Sequence, residues 1–491
     1  MANLKSLVKD TAIYGLSSIV GRFLNYLLVP LYTNVIAAES GGYGVISNIY
    51  GYVALVLVIL IFGMETTFFR FVNKDPEKED TVYTTVLMMV GRVSLLFLVA
   101  VFGFLPQISS YLGYSSHPEY IGIMAVVVAL DAVQAIPFSY LRHKNRPIKF
   151  ASLKLLFIVM NIGLNILYFI VFPSLYKEYP DTVGLIYKPG VGIGYVFGIN
   201  LVCTAAITVF FQQELFGVKW KFDSSLAKKM FSYSWPLLLL GIAGILNQTF
   251  DKMIFPIVFG DTAEGNIQLG IYGACVKIAM IMAMITQAFR FAYEPFVFSK
   301  SKDKDSKEHY ALAMKYFIIF TLLAFLCVMG FMDILKYIIG KDYWDGLRVV
   351  PIVMAAEIMM GIYFNLSFWY KLIDKTIWGA WFSGIGCAVL IAINVIFIPK
   401  YGYMACAWAG FAGYGTSMLL SYFVGQKKNP IDYPLKSIGS YILLAAFFYG
   451  TMELFTQNLD LWLRIATNAL LLVLYVAHVV YHEKLYLKFR R

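Results

Sequence analysis

Charge of either sign is scarce in this sequence. Asp, Glu, Lys and Arg make up only 14% of its 491 residues, where soluble domains carry about 25%. Long polar segments are missing too. The longest stretches between apolar runs, about 173–188 and 298–310, are too short for a separate soluble domain. Any chemistry must therefore lie within the apolar body or at its faces. The five cysteines, Cys203, Cys275, Cys327, Cys387 and Cys406, all sit inside apolar runs without a pairing pattern, so no disulfide framework or metal cluster is expected. The five histidines show no HExxH spacing, and His478 and His482, four apart, have no further ligand in the pattern. No nucleophile elbow, phosphate loop or paired-carboxylate motif occurs. The glycine-rich run 188–198 follows no soluble strand and has no acidic ribose partner, so close helix packing through Gly194 and Gly198 is expected instead. Nothing argues for an enzyme.

Apolar residues fill the space that charge leaves. They form 60% of the chain, with a mean hydropathy of +0.70, and 35 Tyr and 40 Phe suit a membrane interior with interfacial belts. Fourteen candidate spans follow, at roughly 11–36, 45–70, 83–105, 118–141, 150–172, 189–212, 231–259, 267–295, 311–333, 349–370, 376–398, 402–424, 436–455 and 461–482. The first is expected to remain uncleaved after Lys5 and Lys9, because its run is too long for a signal peptide. The net charge of +11 is a topology signal and not a nucleic-acid footprint. Alternate loops hold 26 basic residues against 7 on the other side, which puts both termini in the cytoplasm of a multi-pass protein.

An internal echo divides the spans. Tyr43-Gly44 precedes Glu65 by 21 positions from Gly44, and Tyr272-Gly273 precedes Glu294 by the same 21 from Gly273. The expected organisation is an all-α polytopic membrane protein of about fourteen helices in two pseudo-symmetric six-helix lobes. An N-terminal lobe covers 1–215, a basic cytoplasmic connector 216–230 and a C-terminal lobe 231–425. Two final spans and a tail occupy 426–491. Asp223 or Ser224 is placed to cap a helix leaving the connector.

The few charges inside spans are the candidates for function, since an unpaired guanidinium at the bilayer centre costs at least about 2.5–3.5 kcal/mol. In the first span Thr11, Tyr14, Ser18, Arg22 and Asn25 share one helical stripe. The other intramembrane charges are Glu65, Arg92, Asp131, Lys154, Asp251, Lys252, Lys277, Arg290, Glu294 and Glu357. Structural ion pairs and snorkelling to the interface are the competing explanations for each. Polar stripes accompany them: Asn161 and Asn165 with Lys154, then Asn200, Thr204, Thr208 and Gln212. Together they point to a hydrophilic cavity.

The opening pattern Thr11-Ala-Ile-Tyr-Gly-Leu-Ser-Ser-Ile-Val-Gly-Arg22, followed by Leu28-Val-Pro30 and Tyr43-Gly44, resembles the start of polysaccharide (O-antigen, Wzx-type) flippases. Multidrug and toxin extruders and lipid II flippases belong to the same superfamily. The resemblance implies a MATE-like fold and translocation of an undecaprenyl-diphosphate-linked oligosaccharide across the bacterial inner membrane for O-antigen, capsule or exopolysaccharide assembly. It also implies alternating access around a cationic cavity, here Arg22, Asn25, Arg92, Lys154, Lys277 and Arg290, with polysaccharide assembly proteins as partners. Gating or coupling to a proton or sodium gradient would fall to Glu65, Asp131, Asp251, Glu294 and Glu357, without a bound cofactor. The rivals are an ion-coupled drug or cation antiporter of the same superfamily, a membrane-embedded glycan polymerase or acyltransferase, and a scaffold. A basic cavity favours an anionic substrate over the first. The missing large loop disfavours the second, and the many intramembrane charges disfavour the third.

Overall fold

A computed structural model describes residues 26–300, 306–372, 375, 377–456 and 458–489. Arg22 and Asn25 lie outside these residues. No strand occurs among the described residues, and eleven of their helices are long and apolar enough to cross a membrane. The helices used below are α1 (Leu28–Val35), α2 (Gly42–Ile61), α3 (Met64–Lys74), α4 (Glu79–Gly103), α5 (Pro118–His143), α6 (Pro147–Ile166), α7 (Gly194–Phe210) and α8 (Ser224–Phe259). They continue as α9 (Thr262–Lys300), α10 (Ser306–Gly330), α11 (Val350–Leu366), α12 (Ile377–Tyr401), α13 (Tyr403–Lys428), α14 (Leu435–Leu454) and α15 (Leu461–Phe489). This is the expected all-α polytopic membrane protein. The predicted span 189–212 is the shorter apolar helix α7, and the end of the 11–36 run is α1.

The chain packs as two compact units, Met1–Gly270 and Ile271–Arg491. In unit 1, α5 packs against α2, α4 and α7, and α8 lies along α2, α3 and α4. Phe68, Tyr83, Val86, Val90, Ala132, Ile136 and Met230 close the core between them. Asp223 accepts a 3.0 Å hydrogen bond from the Leu226 amide and so caps α8, a helix of 36 residues.

Two backbone features shape unit 1. The 45–70 run is broken at Phe62 (φ 35°) and Gly63 (φ 75°), both left-handed, so α3 restarts with Glu65 in its first turn. A Cβ on Gly63 would also press on Leu237 of α8 at 2.8 Å, which closes that position to larger residues. The second feature is Pro256 inside α8, which lacks the N–H that would bond the Lys252 carbonyl. Asn48, buried on α2, supplies the missing donor: its Nδ2 reaches the Lys252 oxygen at 2.6 Å and the Met253 oxygen at 3.0 Å. Tyr52 adds a hydroxyl to Met253 at 2.8 Å, and Tyr114 donates to Asn48 Oδ1 at 2.7 Å. Replacing Asn48 by Leu should lower stability by about 1–3 kcal/mol through the unpaired carbonyl. Thermal unfolding in detergent measures it, and an unchanged midpoint would remove Asn48 as the clamp.

In unit 2, α12 and α13 approach closely through Gly386, whose Cβ would meet the Gly413 carbonyl at 2.6 Å. Helices α14 and α15 pack on α10. Their attachment includes Lys315, 1% exposed, whose Nζ lies 2.6 Å from Glu483 Oε2. Tyr316 and Tyr441 donate to the same carboxylate at 3.0 and 2.8 Å. Lys315 falls within the predicted 311–333 span and was still missed as an intramembrane charge.

The glycine-rich run behaves only in part as expected. Gly194 does pack tightly, its Cβ position lying 3.2 Å from the Tyr120 ring, but nothing lies within 4 Å of a Cβ on Gly198. The reason is that Gly198 lies on a face of α7 that points away from its neighbours, while Phe197, Asn200 and Thr204 make the buried face.

Candidate functional site

Asp131, Gln134, Phe138 and Arg142 recur at three- and four-residue spacing, which places them on one face of α5. Phe150, Lys154 and Phe157 do the same on α6. These two faces, with Leu57 and Ile61 of α2, Glu65 of α3 and Ile207 of α7, enclose a cavity of about 420 Å³ within unit 1. The volume falls in the roughly 300–1,000 Å³ range of small-molecule sites. The break at Phe62-Gly63 is what brings Glu65 to the wall.

Four charged groups face this cavity: Glu65, Asp131, Arg142 and Lys154. Lys154 Nζ sits 4.0 Å above the Phe138 ring centroid, and Arg142 stacks over Phe69 at 5.0 Å. Asp131 Oδ1 accepts from Thr204 Oγ1 at 3.4 Å. Gln134 is fixed by donating to the Thr204 carbonyl at 2.8 Å and to Thr208 Oγ1 at 2.7 Å. Lys154 feels the charges of both Asp131 and Glu65, and Glu65 that of Arg142, yet no direct ion pair joins the four among the described residues. The arrangement is therefore two cations and two carboxylates spaced around a void. Such a site can pass a cation from hand to hand or open its cations to an anion.

The predicted polar stripe holds through Asn200, Thr204 and Thr208 and supports this wall, while Gln212 falls past the end of α7 and is exposed. Asn200 donates to Tyr50 OH at 2.6 Å, and Thr204 Oγ1 lies within reach of both Asn200 and Asp131. At the basic-loop end of unit 1, Lys149 pairs with buried Glu214 at 2.7 Å and Lys144 with Glu79 at 2.7 Å. The Glu79 carboxylate holds the Lys144 ammonium above its ordinary pKa.

Of the residues singled out from sequence, the structure gathers Lys154, Glu65 and Asp131 in this cavity. Arg92 is elsewhere, exposed on α4 with its guanidinium 4.5 Å over the Phe222 ring. Asp251 is half-buried on α8 and accepts from the Lys252 amide at 2.9 Å, with Lys252 Nζ 3.9 Å away. In unit 2, Lys277 on α9 and Glu357 on α11 are half-buried, and Arg290 lies 5.0 Å over Phe364. The Glu294 side chain is outside the described residues. Arg142 is the addition that the sequence reading placed in a cytoplasmic loop. Its spacing from Asp131 and Phe138 put it on the same stripe, and that was the available signal.

Residues 7–301 match the polysaccharide biosynthesis protein family, a stretch that contains every residue lining the cavity. The chain belongs to this family. No curated protein matches it. Among solved structures it is similar to the lipid II flippase MurJ in an inward closed conformation, with TM-score 0.73 and 16% identity, covering 97% of this chain and 99% of that one. It is also similar to an inward-facing multidrug resistance MATE family transporter of the MOP superfamily, with TM-score 0.64 and 13% identity over 88% of this chain and 99% of that one. An outward-facing MATE transporter matches with TM-score 0.54 and 14% identity, over 85% and 95%. What is shared at these identities is the fold. This polysaccharide biosynthesis protein is thus a multi-pass membrane protein with the MATE-like architecture expected from its spans.

Proposed function

We propose that this protein is a flippase and not an enzyme, moving a polyprenyl-diphosphate-linked oligosaccharide across a bacterial inner membrane for a surface polysaccharide. The observation that carries this reading is the family match over residues 7–301. A diphosphate crossing hydrocarbon needs its charge met, and guanidinium and ammonium groups meet it well. Lys154 and Arg142 are the cations of the cavity, and Arg22 is the further candidate from the first span. Without substrate, Asp131 and Glu65 balance Lys154. A proton or sodium ion arriving at Asp131 weakens that hold and frees Lys154 for phosphate, which couples ion entry to substrate binding during alternating access. The basic loops at the Arg142 end make that end cytoplasmic.

The two carboxylates of the same cavity favour one rival, a cation antiporter. One assay separates the readings: translocation in proteoliposomes of a fluorescent polyprenyl-diphosphate oligosaccharide against a cationic dye, for wild type and Arg22→Ala. Flipping of the lipid-linked sugar, reduced at least about tenfold by the loss of one charged contact, is expected. Dye transport alone would replace the flippase by the antiporter. Sugar transport indifferent to Arg22 would keep the function and remove that residue from the site.

A further inference from the structure

Unit 1 holds a second, larger cavity of about 830 Å³ at the end opposite the basic loops. It is walled by the loops around residues 36–42, 113–120 and 187–195, the end of α6, and the start of α9. Its chemistry differs from the charged cavity: no Asp, Glu, Lys or Arg is among its described lining residues, and several aromatic rings line it. Tyr168 and Tyr195 lie 4.7 Å apart by ring centroids, Tyr187 stacks on Tyr195 at 5.6 Å and 17°, and His117 stacks on Tyr120 at 4.8 Å and 7°. Tyr195 is anchored, accepting from the Lys188 amide at 2.6 Å and donating back to the Lys188 carbonyl at 3.2 Å. The hydroxyls of Tyr120, Tyr168 and Tyr187 have no partner among the described residues. Asn266 at the α9 start is 6% exposed, and its Oδ1 is buried without a hydrogen-bond partner.

We propose that this aromatic cavity is a saccharide-binding site that takes the neutral sugar portion of the substrate on the far side of the membrane. A pyranose ring offers a flat C–H face and an edge of hydroxyls. The first stacks on the electron-rich faces of tyrosines, and the second pairs with the hydroxyls of Tyr120, Tyr168 and Tyr187 and with His117 Nε2, the ring nitrogen that the Glu119 contact leaves open. An acyl chain would cover those polar groups without pairing them, which is unfavourable. A diphosphate would find no cation. The two cavities thus divide the substrate by chemistry, charge at one end of unit 1 and sugar at the other. The identity of the sugar as part of a lipid-linked substrate rests on the function proposed above; the saccharide chemistry rests on the pocket.

Saturation-transfer NMR on the purified full chain, in a detergent without a sugar head group, tests it with two probes, a neutral hexose tetrasaccharide and an N-acetylhexosamine tetrasaccharide. At least one should show transfer to its ring C–H protons and bind at least fivefold more weakly to Tyr187→Ala and to Tyr168→Ala. Tyr187→Phe, which keeps the stacking face and the fold, should lose less than Tyr187→Ala. Absence of transfer from both sugars, or binding indifferent to either the Tyr187→Ala or the Tyr168→Ala substitution, would overturn the site. The liposome assay separates this from the flippase: free sugar bound without lipid-linked transport would retire the flippase and keep the site. Transport with no sugar binding would do the reverse.

Discussion

Lys154→Met should lower the initial rate of lipid-linked sugar translocation at least about tenfold while leaving the protein folded. The ammonium faces a void that it shares with Asp131, Glu65 and Arg142, and it rests on the Phe138 ring. Removing it deletes one of two cations and leaves two carboxylates to repel an incoming phosphate. A charged hydrogen bond contributes about 1.5–3 kcal/mol, and each 1.4 kcal/mol is a factor of ten. The fold should tolerate the change, because Lys154 is open to the cavity and makes no direct ion pair among the described residues. Met also retains the stem over Phe138. The companion variant Asp131→Asn tests the proposed release: it should keep substrate binding and lose dependence on the ion gradient. Unchanged rates for Lys154→Met at intact expression would take the cavity out of the transport path.

Lys315→Met should have the largest effect on stability, about 3–5 kcal/mol, the range for breaking one side of a buried ion pair. The Lys315 and Glu483 side chains are 2% and 13% exposed, 2.6 Å apart, and Tyr441 and Tyr316 converge on the same carboxylate. Without the ammonium, Glu483 must take up a proton or turn outward, and either loosens α15 and α14 from α10. In the double variant Lys315→Met/Glu483→Gln the amide oxygen accepts from one tyrosine, the amide nitrogen donates to the hydroxyl oxygen of the other, and no charge is left unpaired. It should recover more than half of the loss. Thermal unfolding in detergent reads both. Single and double variants equal to wild type within about 0.5 kcal/mol, the scale of surface substitutions, would show that the pair does not hold these helices.

Much of the architecture was legible beforehand because it depends on quantities local to the chain. Length and hydropathy mark a span, since about 20 apolar residues must cross the hydrocarbon. A capping residue such as Asp223 marks where a helix starts. The candidate site was legible in part. Lys154, Glu65 and Asp131 stood out because charge inside a span is costly wherever it occurs. Arg92 stood out for the same reason, yet its long side chain reaches out to Phe222, away from the cavity, a choice that hydropathy cannot see.

By itself, then, the sequence determined that this is a polytopic all-α membrane protein, where its helices run, and which few charges its interior must accommodate. Those follow from transfer of each segment out of water, and transfer energy is a property of the segment alone. Only the tertiary structure decided which charges share a cavity. Grouping Glu65 with Arg142 depends on a left-handed break at Phe62-Gly63 and on which faces of α5 and α6 meet. Pairing Lys315 with Glu483 depends on contacts 168 positions apart. Stacking Tyr187 on Tyr195 depends on the loop before α7 folding over the start of that helix. Interactions between distant segments are set by the packing of whole helices, and no window of sequence contains them.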